Sequence, residues 1–279
     1  MKNLKDKIVV ITGAASGIGL EMAREFSREG AKLVLADINA TALEGVKKDF
    51  EELNRTVHTH VLDVTKQEQI KDFCDNVYRK TGRVDVLCNN AGVGWAGKFE
   101  DWTLESWEQI VAINLWSVIY GCHYFYPRMI AQGGGGHIVN TASGAGLHPS
   151  PLLSAYCTTK HGVVGFTETL RAEAALNGVD VTCVCPGIVK TNITVTGKVF
   201  SSTAKSTSAQ LVKKLDDFYI KAAMKPEYVA KQIVKAVKKN TAVLRIGPDE
   251  FFNDNIHRVS RALHSFVTRK TIKLVLDRL

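Results

Sequence analysis

Short, nearly continuous apolar runs alternate along the chain with longer segments whose apolar residues recur every three or four positions. The runs "KIVVIT" (7–12), "KLVLA" (32–36), "VHTHVL" (57–62), "VDVLC" (84–88), "HIVNTA" (137–142), "DVTCVC" (180–185) and "AVLRI" (242–246) predict strands. The segments 18–29, 40–53, 67–80, 104–131, 152–177 and 226–239 predict helices. Strands that are apolar throughout, rather than alternating, suit a parallel sheet covered by helices on both faces. Strict alternation of strand and helix therefore predicts an α/β fold: a Rossmann-type, doubly wound, seven-stranded parallel sheet.

No repeat, low-complexity tract or domain boundary interrupts this order before about residue 190, so residues 1–279 are expected to form one domain. "GGGG" (133–136) reads as a turn leading into a strand. From 191 to 225 the periodicity weakens and Ser and Thr become frequent, which predicts a loop-and-helix insertion suited to an active-site lid. Residues from about 250 to 279 read as a basic helical extension.

Composition changes this picture in two places. The net charge of +8 is concentrated: residues 198–279 carry 17 Lys/Arg against 7 Asp/Glu, whereas 1–197 carry 19 against 21. In the extension, Ile256, Val259, Leu263, Phe266 and Val267 fall at helical spacing among basic residues. Such a helix can lie peripherally on an anionic membrane, or pack on its own domain or a neighbouring subunit. Nucleic acid is not an expected partner, because the lysines of "VAKQIVKAVKKN" look like the solvated face of an ordinary helix and no recognition motif accompanies them. The six cysteines show no CxxC and no metal-ligand spacing. They suit buried free thiols in a reducing compartment, so a cytoplasmic location is expected, and no metal. No signal-peptide pattern precedes the first expected strand, and no apolar run approaches the roughly 20 residues that a spanning helix needs.

The first βα step carries candidate chemistry. In "VVITGAASGIGLEMA", Gly13, Gly17 and Gly19 let the backbone turn tightly and approach a pyrophosphate, while the helix start supplies amides and a positive dipole end. The spacing is GxxxGxG rather than the general GxGxxG. Asp37 follows the second strand, 24 residues after Gly13. A carboxylate there can accept hydrogen bonds from both adenosine ribose hydroxyls and repels a 2′-phosphate. Neither Ala15 nor Ser16 supplies an arginine to attract that phosphate, so NAD is favoured over NADP. In "LDV" (62–64), Asp63 either approaches the adenine amino group or caps the following helix. In "NNAG" (89–92), two amides and a glycine can fix the loop beside the cofactor.

"SAYCTTKHG" (154–162) places Tyr156 and Lys160 at i and i+4, on one face of a helix. A cation beside a phenol favours the phenolate and lowers its ordinary pKa of about 10. The pair reads either as a proton-transfer device or as two unrelated surface residues, and the rest of the chain has to decide.

TGAASGIG, the Asp37 position, NNAG, Asn114, Ser143, Tyr156-x-x-x-Lys160 and "PGIVKT" (186–191) occur in an order and spacing that resembles the short-chain dehydrogenase/reductase superfamily, in its short, single-domain, NAD-dependent form. The resemblance covers about residues 5–190, with a helix and strand at 226–246. It implies that Tyr156 is the general acid/base and that Lys160 lowers its pKa and holds the nicotinamide ribose. Ser143 would donate to the substrate oxygen, and Asn114 would bind a water that links Lys160 to solvent. A mid-helix asparagine is unfavourable by propensity, which itself argues for such a special role. The cofactor-binding set implied is Gly13, Ser16, Gly17, Ile18, Gly19, Asp37, Asp63, Val64, Asn90, Ala91, Gly92, Tyr156, Lys160, Pro186, Gly187, Ile188 and Thr191. Thr191 is expected at the nicotinamide carboxamide. One departure is Thr159, where the family more often has serine; a hydroxyl is kept. The resemblance also implies a homodimer or homotetramer packed through 104–131 and 152–177, with Trp116, Tyr120 and Phe166 at the interface.

Substrate contacts are expected from loops at the carboxyl ends of strands four to six. They are Gly94, Trp95 and Phe99, then Ala145, Leu147, His148 and Leu153, then Ile188, Val189, Ile193, Val199 and Phe200. Nearly all are apolar or aromatic and none is an arginine that would clamp a carboxylate. The expected function is NAD-dependent hydride transfer between a secondary or bulky apolar alcohol and its ketone or aldehyde. The alternative is a non-catalytic NAD(H)-binding sensor or a membrane-surface adaptor using the basic tail. Binding alone does not need Asn114, Ser143, Tyr156 and Lys160 together.

Overall fold

The computed structural model of the protein describes residues 1–191, 198–200 and 223–276. β1 (Ile8–Thr12) turns into α1 (Gly17–Arg28), and the same step repeats through β2 (Lys32–Asp37), α2 (Ala40–Glu52), β3 (Val57–Val61) and α3 (Gln67–Thr81). After β4 (Val86–Asn89) come the two-residue strand β5 (Ala96–Gly97), α4 (Leu104–Val111) and α5 (Ser117–Ala131). The chain continues through β6 (Gly136–Thr141), α6 (Ser154–Ala175), β7 (Val179–Pro186), the two-residue β8 (Val199–Phe200), α7 (Pro226–Lys239) and β9 (Val243–Ile246). The helices α8 (Pro248–Val259) and α9 (Arg261–Leu276) form the C-terminal extension.

All seven predicted strands form one parallel sheet in the order β3-β2-β1-β4-β6-β7-β9. The chain steps outward from β1 to β3, then crosses to the other side of β1 with β4. That reversal opens a crevice at the carboxyl ends of β1 and β4, where this architecture places ligands.

Successive residues of β1 face opposite sides of the sheet. Val9 and Ile11 join Met22, Phe26, Leu35 and Ile233 in the core beneath α1, α2 and α7. Ile8 and Val10 join Phe73, Leu87, Phe125 and Ile138 in the core beneath α3, α5 and α6. The apolar pattern of the strands thus reports burial on both faces. Local signals set the helix limits. The Asn39 side chain caps α2 by accepting the Ala42 amide at 3.0 Å, Gly82 (φ +72°) ends α3, and Pro226 opens α7. Gly133, Gly134 and Gly135 all have positive φ, as the predicted turn requires.

Two expectations change. The segment 104–131 is not one α-helix: a π turn, Ala112–Trp116, separates α4 from α5 and is centred on Asn114. The extension does pack on the sheet, but through polar groups rather than its apolar stripe. Glu250, Asp254 and His264 are buried, whereas Val259 is 86% exposed and Leu263 and Phe266 are also exposed. Asp254 draws α8 onto β9 by accepting a hydrogen bond from Arg245 at 2.8 Å. The lid expected at 191–225 lies outside the described residues, apart from its first residue, 198–200 and 223–225.

Candidate active site

The glycine turn is built by close backbone approach. Gly13 (φ +65°) and Gly17 (φ +55°) take the left-handed conformation that favours glycine. A Cβ on Gly19 would stand 2.0 Å from the Gly13 carbonyl oxygen and 2.7 Å from Asn90 Nδ2. Asn90 occupies that space because its Nδ2 donates to the carbonyls of Thr12 and Gly13, at 3.1 and 3.3 Å. Thr12 Oγ1 in turn accepts the amides of Asn90 and Ala91 at 3.0 and 3.1 Å. The loop after β4 and the turn after β1 are therefore one hydrogen-bonded unit. Thr12 was not singled out from the sequence; its position as the last residue of β1, before the glycines, was the available signal.

Asp37 borders this turn from the end of β2. Its Oδ2 accepts the Ala15 amide at 2.9 Å and its Oδ1 accepts the Asn39 amide at 2.9 Å. Ser16 precedes α1 without a side-chain cap, and the first turn of α1 holds no acid. The first amides of α1, from Gly17, Ile18 and Gly19, thus keep their affinity for an anion. The loop after β7 reaches the same place. A Cβ on Gly17 would stand 3.2 Å from the Thr191 side chain. Gly187 donates to the Ile246 carbonyl at 2.8 Å, and Ile188 accepts the Met224 amide at 2.9 Å, so Pro186–Lys190 is tied to β9 and to the residue pair before α7. Asp63 Oδ1 accepts both the amide and hydroxyl of Thr65, at 2.9 and 2.7 Å, which shapes the turn into α3. Val64 packs against the core under that helix.

The four residues expected to carry the chemistry meet at the crevice. Tyr156 and Lys160 share a face of α6, with Lys160 Nζ 5.7 Å from the Tyr156 ring centre. The Ser143 side chain, just beyond β6, lies beside Tyr156 and favours its phenolate. Lys160 is buried and donates to the Thr141 carbonyl at 2.9 Å. Asn114 is buried in the π turn; its Oδ1 accepts the Val93 amide at 2.8 Å and its Nδ2 donates to the Val93 carbonyl at 2.9 Å. A Cβ on Gly92 would lie 3.1 Å from Asn114 Oδ1 and 3.6 Å from Lys160 Nζ, so Gly92 is the floor between them. Thr159 supplies its hydroxyl to the Tyr156 carbonyl at 2.8 Å.

Burial controls the electrostatics here. It raises the Tyr156 hydroxyl to about 12, against the opposing influence of Ser143. It lowers Lys160 to about 8. Burial, rather than Lys160, dominates the Tyr156 pKa. The same burial disfavours both charged forms, and Nζ is directed to the Thr141 carbonyl. The amide of Asn114 is likewise committed to Val93.

On the substrate side, Trp95 and Trp102 are buried in a cluster that Trp107, Phe200 and Tyr156 pack against. Trp102 and Phe200 have ring centres 4.6 Å apart, and Trp95 lies 6.1 Å from Phe200. β5 and β8 hold this wall together by pairing Ala96 with Val199 and Gly97 with Phe200. Trp102 and Trp107 were missed from the sequence, although the recurring tryptophans of "GWAGKFEDWTLESW" were visible there. The other expected contacts have these surroundings. Leu147 packs with Val118, Ala142 and Val163, and Val189 packs in the core with Met22 and Val229. Leu153 precedes α6 and is partly buried. Phe99 is exposed against Trp107, and Ile193 lies outside the described residues. His148, read as a substrate contact or a surface turn residue, does not lie at the surface. It is buried and its Nε2 meets Glu250 Oε2 at 2.9 Å, because the extension folds back over it.

Residues 7–201 match the short chain dehydrogenase family, and the chain belongs to it. It is 36% identical over 272 residues to an oxidoreductase designated EphD from Mycobacterium tuberculosis, covering 96% of this chain and 45% of that one. The chain thus spans about half the length of that relative. It is 41% identical over 187 residues to the D-beta-hydroxybutyrate dehydrogenase of Rhizobium meliloti, covering 66% and 72% of the two chains. Among solved structures, a short chain dehydrogenase/reductase from Burkholderia phymatum in complex with NAD superposes with a TM-score of 0.86. It is 29% identical and the match covers 94% of this chain and 96% of that one.

Proposed function

We propose that the protein is an NAD-dependent oxidoreductase that interconverts a secondary or bulky apolar alcohol with its ketone or aldehyde. The observation that carries this reading is the meeting of Ser143, Tyr156 and buried Lys160 on one crevice, beside a glycine turn bordered by Asp37. The turn fits a dinucleotide: the uncapped start of α1 suits a pyrophosphate, and the Asp37 carboxylate suits ribose hydroxyls while repelling a 2′-phosphate. Bound NAD supplies the hydride acceptor, and its positive ring favours the phenolate.

In alcohol oxidation Tyr156 takes the hydroxyl proton, and in ketone reduction it returns one. Ser143 holds the substrate oxygen by donating a hydrogen bond to it. Lys160, brought to about 8 by burial, is placed to hold the nicotinamide ribose and to exchange protons near neutral pH. Asn114 serves this relay by fixing the π turn beside Lys160, since Val93 occupies its amide. The tryptophan wall against Tyr156 supports a bulky apolar substrate. Self-association belongs to the same reading: Trp116, 46% exposed, stacks on Tyr120 at 5.5 Å on the outer face of the π turn and α5.

The test is NADH formation against a panel of secondary and long-chain alcohols, with NADP in parallel. Turnover with NAD is expected, with Tyr156→Phe slowed ~10²–10⁴-fold and Ser143→Ala ~10²–10³-fold while NADH binding is kept. A Tyr156→Phe protein of near-native activity would overturn this assignment.

A further inference from the structure

One carboxylate carries the C-terminal extension to the crevice. α8 starts at Pro248, directly after β9, so Glu250 stands in its first turn. Glu250 is 6% exposed, and its Oε2 would lie 1.6 Å from a Cβ on Gly144. Only the absence of a side chain at 144 lets the carboxylate sit against the backbone next to Ser143. The same oxygen meets Nε2 of His148, itself 6% exposed and 102 residues away in sequence. Between Ser143 and His148 the chain makes a single 3-10 turn, Gly144–Gly146, in which the Ser143 carbonyl accepts the Gly146 amide at 2.9 Å. Ser143 Oγ accepts the Ala145 amide at 3.2 Å. Glu250 therefore touches this turn at its first residue and grips the residue that follows it.

The groups facing His148 are Glu250 and Asp254 of α8 and His264 of α9, whose ring centre is 5.6 Å away. His257 stands behind His264 at 5.1 Å. Burial opposes a charge on His148 and is the largest single effect. The hydrogen bond and charge of Glu250, the backbone at Pro149 and the charge of Asp254 outweigh it and raise the pKa. His264 is lowered by burial and by the two neighbouring histidines, which leaves the proton on His148. A buried ion pair adds little net stability, and its attested use is to fix one arrangement.

We propose that Glu250 and His148 are positioning residues: their buried pair clamps the turn that carries Ser143, so that the C-terminal extension sets the hydroxyl with which Tyr156 works. This rests on the reading of Ser143 and Tyr156 given above. The effect reaches Tyr156 as well, because the Glu250 charge disfavours its phenolate.

Two variants test the clamp. Glu250→Gln keeps size and hydrogen-bonding capacity and removes the charge; His148→Gln removes the other half. The measurements are kcat, KM and NADH affinity across pH, together with amide hydrogen exchange over residues 143–148 in the NADH-bound protein. In both variants kcat should fall about tenfold or more, within the ~10²–10³-fold loss expected on removing the oxyanion donor itself. NADH affinity should hold, and exchange over 143–148 should quicken. In Glu250→Gln the acidic limb of the kcat profile should also move to lower pH, a shift that a purely structural role would not produce. Unchanged exchange with unchanged kcat would overturn the clamp, as would parallel loss of turnover and NADH binding. A native protein that oxidises no alcohol, while exchange still responds to both variants, would sink the redox reading and leave the clamp standing.

Discussion

Asn114 and Val93 exchange two hydrogen bonds, at 2.8 and 2.9 Å, that join the π turn to the loop after β4. The link matters because Gly92, next to Val93, forms the floor under Lys160. Asn114→Ala leaves the Val93 amide and carbonyl without their partner, which costs about 1–3 kcal/mol for a desolvated group. Urea unfolding should show a lower midpoint with an unchanged slope. Turnover should fall more than stability predicts, since the Lys160 surroundings loosen, and a variant with native kcat would contradict the coupling.

Glycines at 19 and 45 should respond to alanine with opposite signs. A Cβ on Gly19 would press to 2.0 Å from the Gly13 carbonyl, so Gly19→Ala must distort the turn. NADH fluorescence titration should show no saturation in the range that saturates the native protein. Gly45 is exposed within α2 and meets nothing within 4 Å. Gly45→Ala should stabilise by about 0.5–1 kcal/mol through helix propensity.

Asp37 is the proposed selector of the cofactor. Asp37→Asn keeps an acceptor for the Ala15 amide and removes the negative charge. The ratio of kcat/KM for NAD over NADP should fall by about tenfold for each 1.4 kcal/mol of repulsion relieved. A ratio that stays constant would place the selection elsewhere.

The sheet was legible because each strand buries both faces and so reads as an unbroken apolar run; "DVTCVC" became Val179–Pro186 with both limits close. The glycine turn was legible because its constraint is local. The π turn was not, since its cause is Asn114 bonding Val93, 21 residues away. Nor was the Glu250–His148 pair, which joins residues 102 apart through a space left by Gly144. Periodicity also misled in the extension: Val259 and Leu263 suggested an apolar seam, yet Asp254 and Glu250 do the docking. Spacing reports what one element can bury, not which distant polar group will meet it.

His137 gives the fold an acid sensitivity that is separate from the crevice. It is fully buried near the start of β6; Nε2 pairs with the Thr182 hydroxyl at 2.8 Å, and among the described residues Nδ1 has no hydrogen-bond partner. Burial, aided by the positive charges of the chain N-terminus and Arg171, pushes its pKa down to about 3. Unfolded, the ring takes a proton near its ordinary 6.5, so between these values the unfolded state binds more protons. Stability should fall as pH drops from about 6.5 toward 3, by up to about 1.4 kcal/mol per pH unit. His148, with its raised pKa, works in the opposite sense: its contribution is present at low pH and lost as pH rises through that value. His137→Gln leaves His148 untouched, so the difference between variant and native protein isolates His137. That difference should be constant above about pH 7.5 and move in favour of the variant at lower pH, by about 1.4 kcal/mol per unit. Urea unfolding of both proteins between about pH 4.5 and 8 measures it, and parallel stability curves would show that His137 is not the buried neutral base assigned here.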